Sequence, residues 1–201
     1  MDTAEQRRAL KDRMEQTRLE LIHTASCRLL PDRLALLDQM PRRARVAEVG
    51  VAFGDFTQEI LERCAPRKLF LIDLWESSRY AAGLSRIEKR HAAAIEAGTV
   101  EIRRGRSVDI LRSLAPASLD WVYIDTDHSY ATTLGELETC EKLIAPGGRI
   151  AGHDFCTGNV IDAVPYGVVE AVTRFCREFD WQFEYLTVES RGHFSFCIRR
   201  I

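Results

Sequence analysis

An α/β fold with a doubly wound, mostly parallel sheet is predicted by three features of the sequence. From Arg45 onward, short apolar runs alternate with helix-length amphipathic segments. The apolar runs are continuous rather than alternating, as strands covered on both faces require. The chain then closes on two alternating segments with Glu189-Ser190-Arg191-Gly192 between them, the pattern of an antiparallel hairpin.

Each element follows from local pattern. Leu10, Met14, Leu21, Leu29, Leu34 and Leu37 recur at helical spacings and Pro31 interrupts them, which predicts helices over 3–28 and 32–40. Strands are expected at Arg45–Val49, Lys68–Ile72, Val100–Arg103, Trp121–Ile124 and Arg149–Gly152. Helices are expected at Phe56–Cys64, Ser77–Ala97, Val108–Leu114, Thr132–Ile144 and Val164–Phe179. The closing hairpin spans Trp181–Val188 and His193–Ile198. Residues 1–44 read as a helical cap or oligomerisation segment, which predicts a dimer, and residues 45–201 as the main domain.

Composition narrows the function. With 201 residues, 46% hydrophobic and 29% charged, the chain is long enough for one domain with its own core. A formal net charge of −2 leaves no general basic field for nucleic acid. No apolar run reaches the ~18–20 residues of a membrane span, and the first residues lack the apolar core of a secretory signal, so a cytoplasmic chain is expected. No two of the six cysteines form a CxxC pair, which predicts reduced thiols and no zinc-binding spacing among them.

In a doubly wound sheet, ligands bind at the carboxyl ends of the strands. The first strand runs into Gly50-Val51-Ala52-Phe53-Gly54, a GxxxG loop rather than the GxGxxG of dinucleotide binding. The second ends at Asp73, placed to accept hydrogen bonds from both hydroxyls of a ribose. The third leads to Gly105-Arg106-Ser107, where Ser107 suits an adenine contact or a helix cap. The fourth leads into Asp125-Thr126-Asp127-His128, and the fifth into His153-Asp154. Carboxylates beside imidazoles at buried strand ends are costly unless used. Asp127 also suits the cap of the following helix.

These motifs resemble the class I S-adenosylmethionine-dependent methyltransferases. Ile124-Asp125-x-Asp127-His128-x-Tyr130 with Gly147-Gly148 and His153-Asp154-Phe155 is similar to the metal-dependent sugar O-methyltransferases of the macrocin and mycinamicin type, and more distantly to catechol O-methyltransferase. The resemblance implies a Rossmann-like seven-stranded sheet in the order 3-2-1-4-5-7-6, its last strand antiparallel. It implies S-adenosylmethionine held by Glu48, Gly50, Gly54, Asp55, Phe56, Asp73, Leu74, Ser107 and Asp125. It further implies a divalent metal, Mg2+ by default, at Asp125, His153 and Asp154, with His128 as general base beside Asp125. His153 departs from the acidic residue usual at its position, which leaves Mn2+, Fe2+, Zn2+ or no metal as alternatives.

The expected reaction is methyl transfer to a hydroxyl of a small molecule, a sugar or a phenol. Trp75, Tyr130, Tyr166 and His193 are candidate acceptor contacts. The alternatives are a metal-independent methyltransferase for another acceptor and a nicotinamide-dependent oxidoreductase. The missing GxGxxG argues against the latter.

Overall fold

The structure, a computed structural model, describes residues 3–201. The leading segment forms helix α1 (Ala4–Asp12), a 3-10 turn at Leu21–His23, strand β1 (Arg28–Leu30) and helix α2 (Arg33–Asp38). Thr3 and Gln6 cap α1 reciprocally. The carboxylate of Asp32 caps α2 by accepting from the N–H groups of Leu34 and Ala35. The alternating region follows as β2 (Arg45–Val49), α3 (Asp55–Cys64), β3 (Lys68–Asp73), α4 (Gly83–Arg90), α5 (Ala92–Glu96), β4 (Val100–Arg104), α6 (Ser107–Arg112), β5 (Leu119–Ile124), α7 (Tyr130–Leu143) and β6 (Ile144–Gly152). A two-stranded ribbon, β7 (Gly158–Asn159) with β8 (Val164–Pro165), then leads to α8 (Val168–Phe179), β9 (Trp181–Thr187) and β10 (Phe196–Arg200).

The main sheet runs β1-β9-β10-β6-β5-β2-β3-β4. Its seven strands from β2 onward reproduce the expected order, and β10 lies antiparallel to both β6 and β9. The fold class is therefore the mostly parallel, doubly wound one. The apolar strand residues bury on both faces. Val49, Ile72, Val122 and Ile150 join a core completed by Leu137 of α7 and Phe175 of α8. Val46, Leu69, Leu71 and Trp121 join another completed by Leu36 of α2, Ile60 of α3 and Ile87 of α4.

The sequence pattern misplaces three elements. The helix expected over 3–28 is replaced by α1, a turn and β1, an eighth strand that pairs parallel with β9 from Arg28 opposite Tyr185. Its leucines do not form a buried stripe, since Leu10, Leu21 and Leu29 are all exposed. The segment gains more by covering the open edge of β9 with backbone hydrogen bonds. The helix expected over 77–97 divides at His91 into α4 and α5. The helix expected from Val164 begins at Val168, because Val164 and Pro165 pair with Asn159 and Gly158. Among the described residues no helix is long and apolar enough to cross a membrane.

Candidate active site

The carboxyl ends of β2 to β5 open onto a cavity of about 590 Å³ where the strand order reverses. Of the residues the sequence assigns to a cofactor, Glu48, Gly50, Asp55, Phe56, Asp73, Leu74, Ser107 and Asp125 line this cavity. Gly54 stands outside it, capping α3 with φ +76°. Gly50 has φ +87°, and a Cβ there would lie 2.0 Å from the Asp125 carbonyl oxygen. The loop after β2 passes this close to the end of β5 because position 50 carries no side chain.

Asp73 organises that loop. Its Oδ2 accepts from the N–H groups of Val51 and Ala52 at 2.8 and 2.9 Å, and its Oδ1 from Trp75 N–H at 3.0 Å. A carboxylate has about four acceptor positions, so these bonds leave room for one ribose hydroxyl. The Trp75 indole N–H donates to the Ala52 carbonyl at 2.9 Å and the ring is buried, which braces the same loop. Ser107 is the first residue of α6; the cap position itself is Arg106.

Glu48 is buried and accepts a bond from the Thr57 hydroxyl at 2.6 Å. Burial pushes its carboxyl up to about 8; the Thr57 bond opposes this, while the charges of Asp125 and Asp73 add to it. Glu48 is thus uncharged near neutrality.

At the other side of the cavity stands an Asp–His cluster. His128 Nε2 lies 3.1 Å from Asp154 Oδ2. His153 Nδ1 lies 3.5 Å from Asp154 Oδ1 and 3.8 Å from Asp125 Oδ2. His193 Nδ1 shares a short hydrogen bond with Asp154 Oδ1. Burial opposes ionisation of Asp154, but the hydrogen bond from His153 and the nearby imidazoles outweigh it and hold the carboxyl at about 2. Asp125 shifts the other way, raised by burial against the pull of His153 and His128. His128 and Asp154 both have left-handed backbone, at φ +61° and +56°. Such geometry costs of order 1–3 kcal/mol and concentrates at functional sites. The Gly167 N–H fixes the His128 turn by donating to its carbonyl at 2.8 Å.

The remaining predicted residues fall in different places. The cap of α7 is Ser129 rather than Asp127: the Ser129 hydroxyl accepts from Thr132 N–H at 3.3 Å, while Asp127 accepts from Ser129 N–H and the Thr132 hydroxyl, each at 2.9 Å. The Tyr166 ring packs 4.6 Å from the His128 ring. Tyr130 turns away toward α8, where its hydroxyl accepts from Arg174 at 3.1 Å. Sequence reasoning missed Arg33, which lines the cavity, stands 4.9 Å over the Phe56 ring and comes within 4.0 Å of Asp125 Oδ2. Its signal was the Asp32 cap that starts α2, but nothing local says which way α2 points. Cys156 was also missed; its sulfur lies 3.9 Å from His193 Nδ1.

The donor set does not suit Mg2+. That ion prefers oxygen ligands in near-octahedral order. Here imidazoles interleave both carboxylates, Asp154 is bonded to His128 and His193, and the Arg33 guanidinium already faces Asp125.

Residues 47–155, more than half of the chain, match the model of a family described as a methyltransferase domain. No curated protein matches in sequence. Among solved structures, the pyocyanin biosynthetic protein PhzM superposes with a TM-score of 0.59 at 15% identity over 80% of this chain and 51% of that one. The B. subtilis tRNA methyltransferase TrmK gives 0.61 at 10% identity over 86% and 67%. An O-methyltransferase family protein from Burkholderia thailandensis gives 0.60 at 13% identity over 84% and 55%. At these identities the likeness is one of fold, and the chain spans about half the length of PhzM and of the Burkholderia protein.

Proposed function

This chain belongs to the methyltransferase-domain family, whose members take the methyl group from S-adenosylmethionine, and from that premise we propose that it methylates a hydroxyl of a small molecule, a sugar or a phenol. The observation that carries the proposal is the contact of His128 Nε2 with Asp154 Oδ2 at 3.1 Å, beside a cavity bounded by the glycine loop and Asp73.

Glu48 and Gly50 would hold the methionine end of the cofactor, Asp73 its ribose, and Leu74 and Ser107 its adenine. Neutral Glu48 offers a hydrogen bond without a competing charge, and Asp73 has one acceptor position left for the ribose. Bound there, the sulfonium supplies an already electrophilic methyl group. What remains is to deprotonate the acceptor and align oxygen, carbon and sulfur.

His128 does the first. With Nε2–H donated to Asp154, the imidazole lone pair is on Nδ1, which takes the hydroxyl proton. Asp154 stays ionised throughout, so it stabilises the imidazolium that forms. Tyr166 holds the imidazole plane from one side. The mechanism needs no Mg2+, in keeping with the donor set.

The test pairs binding with turnover. Calorimetry with S-adenosylhomocysteine is expected to show saturable binding in the wild type and in His128→Ala and Asp154→Asn. Transfer to a panel of sugar and phenol acceptors is expected to fall by roughly 10²-fold or more in both variants. Undiminished turnover in His128→Ala overturns the mechanism, and absent S-adenosylhomocysteine binding overturns the cofactor site.

A further inference from the structure

We propose that Asp154, Cys156 and His193 form a binding site for one borderline divalent ion of the zinc class. Neither Cys156 nor His193 belongs to the set in which the sequence places a metal, and the inference does not rest on the identity of the methyl acceptor. One ligand atom from each of the three residues lies within 4.8 Å of the other two. The Cys156 sulfur is 3.9 Å from His193 Nδ1, and that nitrogen shares its proton with Asp154 Oδ1. In a tetrahedral zinc site, with Zn–S of about 2.3 Å and Zn–N of about 2.0 Å, ligating sulfur and nitrogen stand about 3.5 Å apart. The two donors already stand near that separation.

The backbone presents these donors together. Asp154 and Cys156 flank Phe155, whose ring packs on Phe183 and Phe196 at centroid distances of 5.4 and 5.9 Å. The Cys156 N–H donates back to the Asp154 carbonyl at 2.7 Å, and with Asp154 left-handed this tight turn about Phe155 keeps residues 154 and 156 close together. The Phe155 N–H donates to the Phe194 carbonyl at 2.9 Å, which fixes His193, one residue earlier, against the pair. Two loops distant in sequence are thus held in register at the point where the three ligands meet.

The chemistry of the set selects the ion. A thiolate, an imidazole nitrogen and one carboxylate oxygen suit Zn2+ and its borderline neighbours, and the sulfur disfavours Mg2+. Binding releases the thiol proton of Cys156 to solvent, and His193 ligates through Nδ1 as a neutral imidazole with its proton on Nε2, with no change of oxidation state. The ion would use Asp154 Oδ1, and Oδ2 remains facing His128. It would tie the loop after β6 to the loop before β10 and so hold the carboxylate against the imidazole. His153 also faces Oδ1, at 3.5 Å, and its ring lies 6.4 Å from that of His193. The fourth position is open to His153 or to water.

The test is a titration of the full-length protein with Co2+, read in the near-ultraviolet, where thiolate-to-cobalt charge transfer absorbs. We expect a saturable band that Zn2+ abolishes stoichiometrically and that a large excess of Mg2+ leaves in place. Cys156→Ser is expected to lose the band and to bind Co2+ roughly tenfold or more weakly, and His193→Ala to bind it more weakly with the band diminished. Cys27→Ser, at the other partly exposed cysteine, is expected to keep the wild-type spectrum. Retained S-adenosylhomocysteine binding by Cys156→Ser certifies its fold. Absence of the band in the wild type, or its persistence in Cys156→Ser, overturns the proposal.

Discussion

Gly50 and Asp125 touch through their backbones: a Cβ on Gly50 would lie 2.0 Å from the Asp125 carbonyl oxygen. The loop that begins the cofactor side of the cavity is thereby pressed against the strand end that begins the Asp–His cluster. Replacing Gly50 by Ala brings both a steric clash and a side chain at φ +87°. Gly50→Ala is expected to lose ~1–3 kcal/mol of stability or more, and S-adenosylhomocysteine binding with it. Thermal unfolding and calorimetry check this; a variant with wild-type melting and affinity shows that the strand ends part readily.

Asp73 accepts three backbone N–H bonds, from Val51, Ala52 and Trp75. Asp73→Ala strands those donors, each at a cost of ~1–3 kcal/mol where water cannot replace the partner. The ligand-free variant is therefore expected to melt below the wild type. A residue that served the ribose alone would leave that melting temperature unchanged and lower only the affinity.

Glu48 makes stability depend on pH. Burial pushes its carboxyl in the folded state up to about 8, above the ordinary glutamate value of 4.5. Between these values the folded state holds a proton that the unfolded state has released. Stability is then expected to fall as pH rises through the window from 4.5 to 8, with a slope of at most about 1.4 kcal/mol per pH unit from this group. Glu48→Gln keeps the acceptor for Thr57 and removes the charge, so it is expected to flatten that slope. Urea unfolding of both proteins at pH 5, 6.5 and 8 compares the two. Parallel pH profiles would place the proton elsewhere.

The leading segment divides into a dispensable part and an essential one. Helix α1 buries none of its residues, whereas β1 pairs with β9 and Leu36 and Leu37 are fully packed. Removing residues 1–12 is expected to cost little beyond the Lys11 ion pair with Glu170. Removing 1–40 is expected to leave an insoluble or unfolded protein, because it exposes the β9 edge and opens the core. Soluble expression and circular dichroism of the two truncations distinguish these outcomes.

The sequence by itself determined the alternation of buried strands and amphipathic helices, and hence the sheet and the strand ends at which ligands gather. Strict periodicity and buried β-runs are local signals, and the strands Arg45–Val49 and Lys68–Asp73 form within a residue of where they were expected. Gly50, Asp73, Asp125 and His128 were legible because a chemistry-bearing residue at a strand end is marked by its place in the pattern. The partnerships were not legible. That Asp154 holds His128 depends on β6 lying beside β5 and on the left-handed turns at positions 128 and 154. That Arg33 reaches the cavity, and that Cys156 meets His193 from 37 residues away, depends on how separate segments pack onto one sheet. Helix and strand are dictated by spacings of two to four residues, which the chain carries locally. Contacts between distant residues are set by packing the whole core, and only the tertiary structure decides them.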